Sequence, residues 1–189
     1  LFARVYAMKV KSAVVFETAA HPFTETQPLK IEEVDLDPPG PSEVLVKVMA
    51  AGLCHFDLSA IEGVRPRKMP YVPGHEASGI VEEVGEGVTR VKPGDHAVLF
   101  FVPNCGTCLS CDRGEPYLCD TAYEARSDGH LITGNHKIRL NGEVINHTSG
   151  VSCYSEYMGL AEGSVIPIEK DIPLEDAALF GCAVITGVG

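Results

Sequence analysis

The chain lacks three features that would place it in a large class of proteins. It has no basic excess, because 15 Lys and Arg residues stand against 26 Asp and Glu residues, a formal charge of −11. This balance argues against general affinity for nucleic acid or anionic membrane surfaces. No run approaches roughly 18 apolar residues, so we expect no membrane-spanning segment. The opening LFARVYA is too short and too broken for a signal sequence.

A fourth absence concerns nucleotide binding. Gly187 and Gly189 stand near the end of the sequence, but no strand precedes them in a βαβ unit and no third glycine follows. The glycine-rich dinucleotide-binding loop is therefore absent from these 189 residues. The composition is otherwise ordinary, with 45% hydrophobic and 22% charged residues. This length provides one good core, or one core and the beginning of a second domain.

Seven cysteines are the most informative residues that are present. Without a secretory signal they point to a reducing compartment, where thiols serve metals or catalysis, so we expect a cytoplasmic protein. Cys105, Cys108, Cys111 and Cys119 follow a C-x2-C-x2-C-x7-C spacing, which suits the closed tetrahedral ligand set of a structural zinc. A disulfide-stapled secreted loop would want a signal peptide. The common bacterial iron–sulfur run closes with x3 and a proline, whereas this one closes with x7 and Asp120.

Short segments rich in Val, Ile and Phe, separated by Gly and Pro turns, predict a mainly β chain. We predict strands over residues 12–18, 29–36, 43–51, 79–84, 95–102, 154–160 and 164–168, and a hairpin over 135–146 turned at Asn141-Gly142. Only two helices are predicted, over residues 57–62 and 173–180. Many short strands with turn signals indicate an all-β barrel or a partly open one.

Three further stretches carry residues of the metal-ligand type, at Cys54, His75 and Cys182. A Cys, a His and a Cys with one open position form a catalytic zinc site of the Cys2His type. Each residue is a weak signal by itself, because a lone Cys is usually a small buried apolar residue. The sequence alone does not show that these three positions converge.

Five motifs occur in an order that resembles the zinc-dependent medium-chain alcohol dehydrogenases. They are the four-cysteine segment, GLCHFD, GHEASGIVEEVGEGV, KPGDHAVLF and GCAVITGVG, and the resemblance runs from about Met8 to Gly189. It implies a mainly β, GroES-like partly open β-barrel with few short helices and a zinc-binding lobe. Residues 8–180 would form this catalytic domain, with the lobe at 104–120. Residues 1–7 would be an N-terminal extension or tag remnant, and residues 181–189 would begin the connection to an absent Rossmann domain.

The resemblance also implies roles for individual residues. Cys54, His75 and Cys182 resemble the ligands of the catalytic zinc, which gives two zinc ions per chain. Glu76 resembles a nearby carboxylate that can approach the metal during ligand exchange. Asp57 resembles an acid that orients the ligating histidine, and the alternative for Asp57 is a cap of the short helix that follows it.

Two positions suggest cofactor contacts, and two depart from the family pattern. His55 resembles the residue that contacts the cofactor pyrophosphate, and Thr186 one that lies near the nicotinamide of NAD or NADP. Family members usually carry Ser or Thr where this chain has Phe56, and many carry His where it has Ser59, to pass the alcohol proton outward. Phenylalanine has no such proton. Three explanations therefore stay open: another group or a water carries the proton, the substrate differs, or the activity is reduced.

A basic cluster of Arg65, Arg67 and Lys68 precedes Met69-Pro70. It is either a solvated loop or a contact for an acidic substrate group at the pocket mouth. Glutathione-dependent formaldehyde dehydrogenases tend to have an acidic residue in this loop, so Arg65 argues mildly against that activity.

The resemblance as a whole implies the catalytic half of an NAD(P)-dependent alcohol dehydrogenase that interconverts an alcohol and an aldehyde or ketone. We expect the full-length enzyme to act on a small molecule as a homodimer, and these 189 residues alone to be inactive. The alternatives are an S-hydroxymethylglutathione (formaldehyde) dehydrogenase and a zinc-stabilised module without catalysis. One closed zinc suits a module, whereas a second, open zinc suits an enzyme.

Overall fold

A computed structural model describes residues 7–189, and ten strands in this range form two sheets. Residues 1–6, most of the predicted N-terminal extension, lie outside the described residues. The strands are β1 (Met8–Val15), β2 (Leu29–Leu36), β3 (Glu43–Ala51), β4 (Tyr71–Val72), β5 (Ala77–Val84), β6 (His96–Leu99), β7 (Ile138–Leu140), β8 (Glu143–His147), β9 (Tyr157–Ala161) and β10 (Val165–Ile168).

One sheet is a closed five-stranded barrel in the order β1-β2-β7-β8-β4, and the other has the order β10-β6-β5-β3-β9. The barrel closes between β1 and β4 at a single residue pair, Val15 with Tyr71. An isolated bridge between Ser12 and Ser155 links the barrel to the segment before β9. The predicted mainly β, barrel-containing fold is confirmed.

Strand β3 lies inside the open sheet, paired with β5 on one side and with the edge strand β9 on the other. Its first half is buried on both faces, and Val44 and Val46 join the main apolar core. β-branched residues suit such a pleated, buried surface. Two register shifts against β5 interrupt the strand, one between Leu45 and Val46 and one between Val48 and Ala50. Bulges of this kind re-aim a strand, and this strand leads directly to Cys54.

The local patterns predicted several strand boundaries well. β2 and β3 have the predicted bounds, and the predicted hairpin turns at Asn141 and Gly142, whose φ angles are 53° and 87°. Positive φ at both central residues is the requirement of the tight turn that Asn-Gly favours. β1 begins at Met8 rather than at residue 12, because exposed Lys9 and Lys11 alternate with inward-facing Val10.

The prediction of only two helices is wrong within the described residues. Six α-helices occur there, namely α1 (Phe23–Thr26), α2 (His55–Ile61), α3 (Leu109–Asp112), α4 (Asp120–Asp128), α5 (Leu174–Ala177) and α6 (Ala183–Val188). The second predicted helix, over 173–180, is α5 followed by a 3₁₀ turn. No helix in residues 7–189 is long and apolar enough to cross a membrane.

Helix α4 is the longest of the missed helices. It buries only Ala122 and Ala125, which gives no helical pattern of large apolar residues. At its start the Cys119 thiol accepts a hydrogen bond from the Ala122 N–H at 3.4 Å, and it ends at Gly129 with a φ of 79°. A thiol is not among the usual N-cap groups, so the helix start carried no recognisable signal.

Candidate metal centres

The four clustered cysteines project from the segment between β6 and α4, and their thiols face one another. All four sulfur atoms lie within 4.8 Å of each other, and none forms a disulfide. The Cys108 sulfur is 3.5 Å from that of Cys111 and 3.8 Å from that of Cys119. Four sulfurs about 2.3 Å from a central zinc would lie about 3.8 Å apart. The donor set therefore fits a closed tetrahedral zinc.

Backbone N–H groups converge on these sulfurs. The Cys105 sulfur accepts from the N–H groups of Thr107 and Cys108, and the Cys119 sulfur accepts from that of Cys105. The Thr121 side chain, followed by the backbone and side chain of Thr107, lowers the pKa of Cys105 to about 5. The loop thus favours a thiolate at Cys105, and a thiolate is the form that binds metal.

Burial and the neighbouring Cys108 thiol act in the opposite direction on Cys111 and raise its pKa to about 11. Thiols packed this closely cannot all ionise without a cation among them, because each negative charge disfavours the next. The electrostatics of the lobe therefore agree with its geometry in requiring a metal ion for full ionisation.

The second cluster joins three distant parts of the chain. Cys54 follows β3 and begins α2, His75 lies between β4 and β5, and Cys182 separates the 3₁₀ turn after α5 from α6. One potential ligand atom from each lies within 4.8 Å of the others, and the two sulfurs are 4.0 Å apart. Three protein donors on one side of a point leave a fourth tetrahedral position open. The geometry therefore suits an open zinc site.

Asp57 holds the His75 ring in place. Its Oδ1 accepts from the Gly74 N–H at 3.1 Å and lies 3.2 Å from His75 Nδ1. With Nδ1 engaged by a carboxylate, Nε2 is left to face a metal. The alternative role of Asp57 as a helix cap is wrong, because the Cys54 sulfur accepts the Phe56 N–H at the start of α2 while the Asp57 side chain turns to Gly74.

Tyr154 completes this arrangement and was not singled out in the sequence. Its hydroxyl lies 3.1 Å from Asp57 Oδ2 and 3.1 Å from the Gly52 carbonyl oxygen. Burial, followed by the Asp57 charge, raises the pKa of Tyr154, so the hydroxyl remains a donor. Tyr154 lies 97 positions from Asp57, and no local pattern signals such a contact.

Glu76 connects the segment after β3, which carries Cys54, to the start of α6, which follows Cys182. Its side chain is buried, its Oε1 accepts the Ala183 N–H at 2.9 Å, and its backbone oxygen accepts the Gly52 N–H at 2.8 Å. Burial first, then the negative charges of Cys54 and Glu76, raises the pKa of Cys182 to about 11. A cation between the two thiols would relieve this repulsion, which again fits a metal site.

The two residues expected to contact a cofactor lie beside the cluster rather than in it. His55 is exposed in the first turn of α2, and its Nδ1 is 3.3 Å from the Ser59 hydroxyl. Thr186 is exposed in α6, and its side chain hydrogen-bonds Cys182. His55 and Cys54 line one open, mostly apolar cavity of about 470 Å³. The structure thus places both residues next to ligand-type cysteines.

Phe56 packs against the histidine of the cluster. Its ring meets the His75 ring edge-to-face at 5.0 Å between centroids, and Phe101 meets the same ring at 5.2 Å. Ser59 is buried and engages His55. The position where the family resemblance implies a hydroxyl therefore holds an aromatic ring beside His75.

Comparisons with known proteins agree with these observations. Residues 40–170 match the family described as Alcohol dehydrogenase GroES-like domain. The chain is 43% identical over 182 residues to the putative alcohol dehydrogenase D of Mycobacterium tuberculosis, covering 96% of this chain and 47% of that protein. It is 41% identical over 172 residues to S-(hydroxymethyl)glutathione dehydrogenase of Escherichia coli, covering 90% and 47% respectively.

The fold of a solved structure is also similar. An alcohol dehydrogenase zinc-binding domain protein from Burkholderia ambifaria matches with a TM-score of 0.85 and 33% identity, over 96% of this chain and 47% of that chain. The present chain spans about half the length of the curated relatives it matches. The resemblance seen in the sequence is confirmed, and the chain belongs to the alcohol dehydrogenase GroES-like domain family.

Proposed function

We propose that this chain is the catalytic-domain half of a zinc-dependent alcohol dehydrogenase, which interconverts an alcohol and an aldehyde or ketone with NAD or NADP in the full-length protein. The observation that carries the proposal is the meeting of Cys54, His75 and Cys182, whose ligand atoms lie within 4.8 Å of one another. Three protein donors leave room for a substrate oxygen, whereas the four-cysteine lobe does not. The names of the similar proteins support the same reaction class.

A zinc held at this open centre would supply Lewis acidity toward an alcohol or carbonyl oxygen. Asp57 fixes the orientation of His75 and reserves one ring nitrogen for the metal. The rings of Phe56 and Phe101 pack edge-to-face against the buried His75 ring and help to fix its position. Because Phe56 carries no transferable proton, the alcohol proton leaves through another group or a water.

Further assignments belong to the same proposal. Residues 8–180 form the catalytic domain, with the zinc lobe at 104–120, and the chain holds two zinc ions. Glu76 is the carboxylate that approaches the metal during ligand exchange, while His55 and Thr186 contact the cofactor. A cytoplasmic location is supported by seven cysteines without a disulfide. We further propose that the full-length enzyme is a homodimer.

Two other functions compete with this proposal. An S-(hydroxymethyl)glutathione dehydrogenase is favoured by one relative's name, but Arg65 stands where such enzymes tend to carry an acidic residue. A non-catalytic zinc module would need only the closed lobe, and the buried Asp57–His75 pair beside two free thiols has no purpose in such a module. The open centre therefore favours the alcohol dehydrogenase.

Elemental analysis of the zinc-loaded chain tests the proposal directly. The wild-type chain should hold two zinc ions, and His75→Ala should hold one with only a modest loss of stability. Cys108→Ser should also lose zinc, together with more stability, because a closed metal site contributes folding free energy. Full zinc content in both variants would refute the ligand assignment.

Turnover is measured in the full-length protein, because the glycine-rich loop that binds a dinucleotide is absent from these 189 residues. His75→Ala should abolish oxidation of simple alcohols there. Retained turnover with one zinc per chain would show that the open centre is not catalytic.

A further inference from the structure

Another cavity, of about 240 Å³, is bounded on one side by the Phe56 ring. It is lined by α2 and the loop after it, by α4, and by single residues from two other loops. The lining residues are Phe56, Arg65, Arg67, Phe101, Tyr123, Arg126, Ser127 and Ser149. Three of the eight are arginines and none is acidic, although the chain as a whole carries a charge of −11.

The arginines are not neutralised by the cavity walls. The Nε atom of Arg67 is buried without a hydrogen-bond partner among the described residues, and Arg126 Nε donates only to the Ala122 carbonyl of its own helix. The nearby carboxylate of Asp128 is bound by Lys68 at 2.6 Å. Lys68, the third member of the basic cluster, is therefore directed to a surface ion pair, while Arg65 and Arg67 face the cavity.

The electrostatic cost of placing these charges together appears as lowered pKa values of Arg67 and Arg126. Burial is the largest effect on Arg67 and lowers its pKa; the Tyr71 hydroxyl acts next and in the opposite direction, and the positive charges of Arg126 and Arg65 lower the pKa further. Burial also lowers the pKa of Arg126. The Asp57 charge acts in the opposite direction on Arg67, but that carboxylate already accepts from Gly74 and Tyr154 and faces His75. Unpaired buried donors are costly, so an anion entering the cavity would be stabilised.

The cavity adjoins the open metal centre through a shared aromatic wall. The guanidinium carbons of Arg67 and Arg65 lie 4.8 Å and 5.4 Å from the centroid of the Phe56 ring, within the range of cation–π contacts. The same ring contacts His75 edge-to-face, and Phe101 lines the cavity while it also contacts His75. One aromatic ring therefore separates the arginines from a residue of the metal cluster.

We propose that this cavity is the part of the substrate site that selects a small alcohol or aldehyde with a carboxylate or phosphate group, through Arg65, Arg67 and Arg126. The inference rests on the proposed dehydrogenase function, since it assigns the substrate class of that site. This proposal gives Phe56 a role, because its ring makes cation–π contacts with the guanidinium groups of Arg65 and Arg67 that a hydroxyl side chain could not make. The volume of about 240 Å³ is below the range of roughly 300–1,000 Å³ typical of drug-sized ligand pockets, and it suits the anionic end of a small substrate.

Binding is tested first on the zinc-loaded chain, by calorimetric titration with inorganic phosphate and, separately, with 3-hydroxypropanoate. Arg67→Met keeps the apolar stem and removes the charge, and should weaken binding of the preferred anion about ten- to a hundredfold. Arg67→Lys should recover part of the affinity. Arg90→Met is the charge-matched control, because Arg90 is exposed and does not line the cavity. Zinc content and circular dichroism exclude misfolding of a variant.

Turnover is tested in the full-length protein with 1-propanol, 3-hydroxypropanoate and 2-hydroxyethyl phosphate. The ratio of kcat/KM for the better anionic alcohol to that for 1-propanol should exceed ten, and Arg67→Met should lower this ratio at least tenfold, whereas Arg90→Met should not change it. The two anionic substrates distinguish a carboxylate site from a phosphate site.

The outcomes separate this inference from the function on which it rests. Oxidation of 1-propanol with no preference for either anion, unchanged in Arg67→Met, would refute the anion site and leave the dehydrogenase intact. Anion binding that depends on Arg67, without turnover of any alcohol, would sustain the anion site and refute the dehydrogenase. Absence of both binding and turnover would refute both.

Discussion

Replacing Asp57 by asparagine separates the charge of this carboxylate from its hydrogen bonds. An Asn side-chain oxygen can still accept from the Gly74 N–H and from His75 Nδ1–H, which now lie 3.1 Å and 3.2 Å from Oδ1. Its amide group would face the Tyr154 hydroxyl, which can accept that hydrogen bond while donating to the Gly52 carbonyl at 3.1 Å. Every buried group then keeps a partner, so we expect a stability loss of less than about 1 kcal/mol.

The loss of charge should nevertheless weaken the open metal centre. A carboxylate behind a ligating histidine raises its basicity, and removing such a partner costs about 10- to 100-fold in metal affinity, or roughly 1.4–2.7 kcal/mol. Asp57→Ala should do more. It leaves the Gly74 and His75 donors without a buried partner, at about 1–3 kcal/mol each, so we expect roughly 2–6 kcal/mol of destabilisation.

Competition with a zinc chelator measures both effects in one sample, because the four-cysteine lobe serves as an internal reference whose affinity should not change. Urea denaturation gives the stability of each variant. If Asp57→Asn binds zinc at the open centre as tightly as the wild-type chain does, the carboxylate charge does not act on His75. Equal loss at both sites would show that the variant damages the fold as a whole.

Two further changes test the packing of the fold and its pH dependence. Gly52→Ala should lower the free energy of unfolding by about 1–3 kcal/mol and weaken zinc binding at the open centre, because the added Cβ would lie 2.7 Å from Glu76 Oε2. Gly187→Ala is the control, because its added Cβ would meet nothing within 4 Å. Equal urea midpoints for the two variants would contradict this reasoning. Burial lowers the pKa of His147 to about 3 from an ordinary 6.5. As the pH falls, the unfolded chain therefore takes up this proton before the folded chain does. The free energy of unfolding should then decrease between about pH 6.5 and 3, by up to roughly 1.4 kcal/mol per pH unit. His147→Gln keeps an acceptor for the Lys137 N–H and should flatten this dependence in urea titrations across pH, whereas an unchanged slope would assign it to other groups.

The sequence predicted best where the relevant signal is local. The spacing of Cys105, Cys108, Cys111 and Cys119 specifies a closed set of donors within one loop, and the four sulfurs do lie together. The Asn141-Gly142 turn was likewise specified by two adjacent residues, because both adopt positive φ. In each case the residues that decide the structure are close in the chain.

Long-range contacts could not be predicted from the residues alone. Cys54 and Cys182 lie 128 positions apart, and their meeting depends on β3 and α6 being joined by Glu76. Only the family resemblance suggested it. Tyr154 and Arg126 were missed altogether, because a tyrosine near a strand and an arginine on an unpredicted helix carry no sign of what they will face.

Helix α4 links the four-cysteine lobe to the cavity of about 240 Å³ that Arg65, Arg67 and Arg126 line. Cys119 is at once a member of the four-cysteine set and the N-cap of this helix, and Arg126 lies seven residues further along. Seven residues make about two turns, so both residues project from one side of α4, and the buried Ala122 and Ala125 fix the rotation of the helix against the fold. A metal that holds Cys119 therefore also holds the start of the helix that directs Arg126 into the cavity. The lobe shares no residue with the cavity, but metal binding at Cys119 would fix the start of α4 and thereby the position of one of the three guanidinium groups.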